Sequence, residues 1–148
     1  MKLYHGSKYS LKKLSNKQAT NGGFENVPEE ELQNGIYLTP NYEFAVAMAA
    51  RPNGGTRIDD RKIAFENEEL FNPEEDIFIY VFNTEDEQFK DKDLEFHNKD
   101  EYMVKGELVP SEVKQIKAKE VFQYYELSKW SDLMRERPEN KELKFKIK

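Results

Sequence analysis

The chain has 148 residues, of which 37% are hydrophobic and 35% charged, with a net charge of −6 and no cysteine. That is the length of one domain, with a modest core beneath a heavily charged surface. It excludes disulfides and thiolate metal sites, and the acid excess argues against a broad electrostatic grip on nucleic acid.

Aromatic residues reach 13%, which opposes wholesale disorder. No apolar run has the length of a membrane span, so no membrane partner is expected. No long apolar stretch follows Lys2 towards a cleavage site, so a secretory leader is not expected either, and the missing cysteines fit a reducing, cytoplasmic setting. Basic residues gather locally, at Arg51, Arg57, Arg61 and Lys62 and again in the tail at Lys141, Lys144, Lys146 and Lys148.

In chain order, Lys2–Tyr4 predicts a short strand ending at Gly6. The stretch from Ser10 to Gly35 has little periodicity and is punctuated by Gly22, Gly23 and Pro28, which predicts mostly loop with a helical turn at Glu29–Gln33. Gly35–Leu38 is a short apolar strand. A helix follows through "TPNYEFAVAMAAR", with Thr39 as N-cap and Pro40 at the first helical position. Arg51–Lys62 is a Gly-rich polar loop. Residues 62–72 suit a short strand or a helix before Pro73.

"DIFIYVFN" is the strongest strand signal. Its continuous apolar run Ile77–Phe82 predicts burial on both faces, hence a central place in a sheet. A charged excursion follows, with a brief strand at Leu94–Phe96. "EYMVKGEL" is another strand, in which alternation puts Glu101, Met103 and Lys105 on one face. Beyond Pro110 the pattern predicts a turn and then a final strand at Val121–Phe122. "SKWSDLMRERP" is a short amphipathic helix capped by Ser128, with Trp130, Leu133 and Met134 on one side and Pro138 ending it. "ELKFKIK" alternates Leu143, Phe145 and Ile147 with lysines, as an edge strand does. Short strands with two helices make an α+β domain over residues 1–148.

Chemistry concentrates in three separated pieces: His5 in "YHGS", Tyr37 in "GIYLTPNYEFAVAMA", and Glu101 in "DEYMVKGELVPSEV". Taken singly, each has a plain structural reading. A histidine at a strand end is commonly a surface residue, Ile-Tyr occurs in any buried strand, and one glutamate means little in so acidic a chain. Together, in this order and each beside a strand, they resemble the His-Tyr-Glu branch of the ADP-ribosyltransferase superfamily. That branch holds diphtheria-toxin-like enzymes and poly(ADP-ribose) polymerases. The small size and the "IYLT" and "IFIYVFN" segments are also similar to small bacterial or phage types. The likeness runs from about residue 3 to about residue 121 and leaves the helix and tail at 128–148 uncovered.

The resemblance implies a split β-sheet core around an NAD-binding cleft, with NAD as substrate. It implies cleavage of the nicotinamide–ribose bond and transfer of ADP-ribose to an acceptor that the sequence does not name. Gly6 would pair its backbone with the carboxamide, and Ser7 would add a hydroxyl contact. His5 would hydrogen-bond the adenosine-side ribose. Tyr37 would stack on the cationic nicotinamide ring, and Glu101 would stabilise the oxocarbenium-like cation and help deprotonate the acceptor. Glu107, six residues on, competes with Glu101 for that role.

Many relatives carry a second stacking tyrosine in the following helix. Here only Tyr42, Phe44 or Met48 lies nearby, and Tyr42 reads equally as an exposed aromatic at the helix start. Gly54, Gly55 and the arginines of 51–62 suit either an anionic ligand or a solvated insertion. His97, just before the glutamate strand, reads as a surface residue, with a place near the site as the alternative. Two distant histidines and no cysteine predict no metal site. An antitoxin or inhibitor partner is compatible with the toxin-like branch. The alternative function is a non-catalytic NAD or ADP-ribose binder on the same fold. RNA 2′-phosphotransferase shares the fold but relies on paired Arg-His elements that are not found here.

Overall fold

The computed structural model describes residues 1–11, 14–15, 35–98 and 100–135. The helical turn expected at Glu29–Gln33 and the alternating strand expected at 142–148 lie outside them.

The elements run β1 Lys2–Ser7, β2 Leu14–Ser15, β3 Ile36–Leu38, α1 Tyr42–Ala50, β4 Thr56–Asp59 and β5 Lys62–Phe65. They continue with β6 Asp76–Asn83, β7 Glu95–Asn98, β8 Glu101–Val104, β9 Glu107–Leu108, β10 Glu112–Lys117, β11 Glu126–Leu127 and α2 Trp130–Arg135. The result is a small, sheet-rich α+β fold with few helices. Among the described residues, no helix is long and apolar enough to cross a membrane.

β6 is the middle strand of an antiparallel sheet ordered β1-β6-β10. Its apolar run is explained by the two cores it separates. Ile77 and Ile79 point to a cluster built with Ala45, Val46 and Ala49 of α1 and with Ile63 and Phe65 of β5. Tyr80 and Phe82 point the other way, to Leu3, Ile36, Leu38, Val104 and Leu108. This is the period-2 alternation of a strand with both faces covered. A second three-stranded sheet, β3-β8-β7, is also antiparallel. It meets the first through one isolated bridge between Tyr4 and Thr39.

Several sequence expectations are corrected. α1 is capped by Asn41, whose side chain accepts from the Phe44 N–H at 3.1 Å. Thr39 is drawn away by its bridge to Tyr4, and its hydroxyl accepts from the Asn41 N–H at 3.0 Å. The 51–62 loop is half strand, because β4 and β5 form a hairpin whose two-residue turn holds Asp60 at φ 55°. Residues 62–72 contain a strand and also a 3₁₀ turn at Glu68–Leu70. The strand after Pro110 is β10. Val121 and Phe122 sit in a 3₁₀ segment, Ala118–Gln123, that packs beside α1.

α2 begins at Trp130, one residue later than Ser128 could cap it, and the Ser128 N–H donates instead to the Ile63 carbonyl at 2.8 Å. The helix packs on β4 and β5 with Leu133 buried and the Trp130 ring against Gly55.

Candidate functional site

The Tyr4–Thr39 bridge sets the site. The Tyr4 N–H donates to the Thr39 carbonyl at 2.8 Å and the Thr39 N–H returns to the Tyr4 carbonyl at 2.9 Å. Beside this junction opens a cavity of ≈230 Å³, walled by β1, β3, α1 and the β7–β8 hairpin. His5, Gly6, Tyr37 and Glu101 all line it.

Neighbouring residues in an antiparallel ladder turn their backbone polar groups alternately towards and away from the partner strand. Tyr4 turns its own to Thr39, away from β6. Gly6, two residues on, stands opposite Ile79 in the same register class as Tyr4 opposite Val81. Its N–H and C=O therefore face away from β6 on the same side as the bridge, where the cavity lies. The residue types that place a backbone donor and acceptor side by side at the wall are Tyr4 and Gly6, and the bridge consumes Tyr4's pair.

His5 is on the opposite backbone phase. Its Nδ1 lies 2.8 Å from the Tyr37 carbonyl oxygen, which fixes the tautomer with a proton on Nδ1 and ties β1 to β3. In the β3–β8 pair, Tyr37 stands opposite Met103 and Leu38 opposite Tyr102. Leu38, Tyr102 and Val104 face the second core. Alternation therefore sends Tyr37, Met103 and Glu101 to the other face, and Tyr37 and Glu101 reach the cavity. Glu101 Oε1 accepts from the Asn98 side-chain amide at 3.3 Å.

Ser7 is not brought to this wall. Its side chain is buried, and Oγ accepts from the Tyr9 N–H at 3.0 Å, closing the turn after β1. Glu107 is also elsewhere. Gly106, at φ 97°, breaks the strand, and Glu107 lies exposed on β9 opposite Ser15. Of the two competing glutamates, only Glu101 lines the cavity.

His97 is exposed, as the surface reading has it, and it also lines the cavity. The β7–β8 pairing slips between Phe96 and Asn98, so His97 is the extra residue of a β-bulge. Bulges re-aim side chains. His97 lines the cavity edge-on to Tyr37, with ring centroids 4.8 Å apart. No local sequence pattern marks a bulge, so only the pairing reveals it. From α1, Phe44 and Met48 line the cavity, and Tyr42 does not. Tyr42 is half-buried in the α1 core, edge-on to Tyr4 at 5.3 Å and to Tyr124 at 6.2 Å, with Lys114 over its ring. Burial, followed by nearby Tyr124 and Glu120, pushes its phenol above the ordinary range.

The arginines of 51–62 diverge. Arg61 pairs with Glu43 at 3.3 Å near the hairpin turn, Arg57 lies on β4, and Arg51 lines the cavity. The Gly55 N–H donates to the Glu66 carboxylate at 2.9 Å, and Asn67 donates to the Asn53 carbonyl at 3.1 Å. Among the described residues, no cluster of His, Asp or Glu is placed to hold a metal ion. No family model, no curated protein and no solved structure matches the chain.

Proposed function

We propose that the protein is an NAD-dependent mono-ADP-ribosyltransferase, built on a split β-sheet of the ADP-ribosyltransferase kind. The observation that carries this reading is the convergence of His5, Gly6, Tyr37 and Glu101 on one cavity from three strands far apart in sequence. The division into β1-β6-β10 and β3-β8-β7, joined at one bridge, supports the same reading.

The residues present fit the substrate. The outward N–H and C=O of Gly6 match the acceptor and donor of a carboxamide. The Tyr37 ring offers an aromatic face to a cationic pyridinium. Breaking the nicotinamide–ribose bond leaves positive charge on the sugar, and the Glu101 carboxylate at the same wall stabilises it electrostatically. The same carboxylate can then take the acceptor's proton. Asn98 holds Glu101 by one oxygen and leaves the other for substrate. His5 braces the wall through the Tyr37 carbonyl. The resemblance adds its contact to ribose.

The test is to incubate the protein with NAD, with and without cell extract, and to measure free nicotinamide by mass spectrometry. Glu101→Gln is expected to reduce release by roughly 10²-fold or more, and Glu107→Gln by less than about twofold. Equal activity in Glu101→Gln overturns the assignment. Binding of NAD with no nicotinamide released under any condition establishes the non-catalytic binder instead.

A further inference from the structure

A second and larger cavity, of ≈760 Å³, adjoins the first at the C-terminal end of α1. Met48 and Arg51 line both, so they form the neck between the two. Lys8, Glu75, Asn53 and Asn72 also line the larger one, with Lys8 close to the end of α1.

The charges of this lining are unevenly satisfied. Lys8 Nζ pairs with Glu75 at 2.8 Å and also reaches the Ala50 carbonyl at 3.4 Å, so its charge is matched within the protein. Arg51 caps α1 through its backbone, donating to the Ala47 carbonyl at 3.1 Å. Its side chain is partly buried, yet among the described residues it makes no salt bridge and no side-chain hydrogen bond. A guanidinium that lines two cavities and has no partner among the described residues is available to a ligand. Its planar fork of donors matches an oxyanion by two parallel hydrogen bonds. The Gly54–Gly55 segment does not compete for that anion, because its Gly55 N–H is already given to Glu66.

We propose that Arg51 receives a phosphoryl group at the neck, and that the ligand carrying it extends between the two cavities. The inference rests on the transferase reading for the identity of the first cavity's occupant. Two compartments with one unmatched cation between them suit a molecule whose anionic link joins two bulky parts. The pyrophosphate of NAD is one source of that group. A phosphate on the acceptor is the other.

The test uses calorimetric titration of wild type, Arg51→Gln and Arg51→Lys with ADP-ribose, inorganic pyrophosphate and nicotinamide, at low ionic strength. Arg51→Gln is expected to weaken at least one of the two anions by ~10-fold or more, to leave nicotinamide unchanged, and to be partly rescued in Arg51→Lys. Weakened ADP-ribose binding assigns the group to the dinucleotide. Pyrophosphate that still binds wild type saturated with ADP-ribose, and is lost in Arg51→Gln, assigns it to the acceptor. Both outcomes uphold the anion site. It is overturned if both anions bind wild type and Arg51→Gln equally, or if neither binds wild type. Pyrophosphate binding through Arg51 with no binding of nicotinamide or ADP-ribose would remove the transferase reading while leaving the anion site standing.

Discussion

A Cβ added to Gly6 would stand 2.0 Å from the Ala45 carbonyl oxygen and 3.0 Å from the Ala49 Cβ. The first distance is closer than any real contact, and the obstacle is helix backbone, which cannot swing aside. Gly6 is therefore demanded by the approach of α1 to β1, whatever the cavity binds. The sequence suggested glycine for a ligand's sake only, because strand–helix distance is invisible until the two elements are placed. Gly6→Ala is expected to destabilise the fold by about 1–3 kcal/mol, as overpacking does, and to lower the melting temperature with no ligand present. An unchanged melting curve would show that α1 is free to move. His97 presents the opposite case. It is exposed, so the cost of His97→Ala to stability should not exceed that of its one ring contact. Its edge contact steadies the Tyr37 ring, and such pairs contribute about 0.5–1.5 kcal/mol. Loss of the contact should raise the KM for NAD by roughly 2- to 12-fold with less effect on kcat. A fall in kcat with constant KM would instead give His97 a part in the chemical step.

Elements whose identity rests on their own side chains were legible, and those defined by neighbours were not. β6 declared itself through Ile77–Phe82 because both of its faces are buried. β10 hid because it is an exposed edge strand, almost solvent-facing along its length, and only its register with β6 makes it a strand. Val121 looked like strand because it is buried, yet burial here comes from a 3₁₀ segment lying on α1. The start of α1 shows the same rule. Thr39 and Asn41 are both good caps by residue type. The bridge to Tyr4 holds Thr39 in extended backbone, which leaves Asn41 to satisfy the Phe44 N–H. Asn41→Ala is accordingly expected to cost ~1 kcal/mol in urea denaturation. A cost near zero would return the capping role to Thr39.

At the scale of the molecule, the site was legible as a constellation and not as a shape. His5, Tyr37 and Glu101 could be read together because three strand-associated motifs occur in order, and the fold brings all three to one cavity. Ser7 could not be separated from them in sequence, since it shares the strand phase of His5 and is set apart only by the turn after β1, where it is buried and its hydroxyl accepts from the Tyr9 N–H. The larger cavity and its neck depend on where α1 ends and where the β6 approach at Asn72–Glu75 passes it, which no local pattern encodes. The same packing that makes the α1 core also sets a pH limit. Tyr42 and Tyr125 both belong to it, and burial raises both phenols above the ordinary value of 10.0, with nearby acidic groups adding to the rise. The folded state thus holds these protons more tightly than the unfolded chain does. Their contribution is fully present below the unfolded phenol pKa, and it is lost as pH climbs through the folded values. With a net charge of −6 already in place, each new phenolate also adds repulsion. Thermal melts between pH about 8 and about 11.5 should therefore be flat up to about pH 10 and fall beyond it. In Tyr42→Phe with Tyr125→Phe, which keep the rings and remove the titrating hydroxyls, the alkaline fall should be shallower. An equally steep fall in that double variant would place the alkaline weakness outside the α1 core.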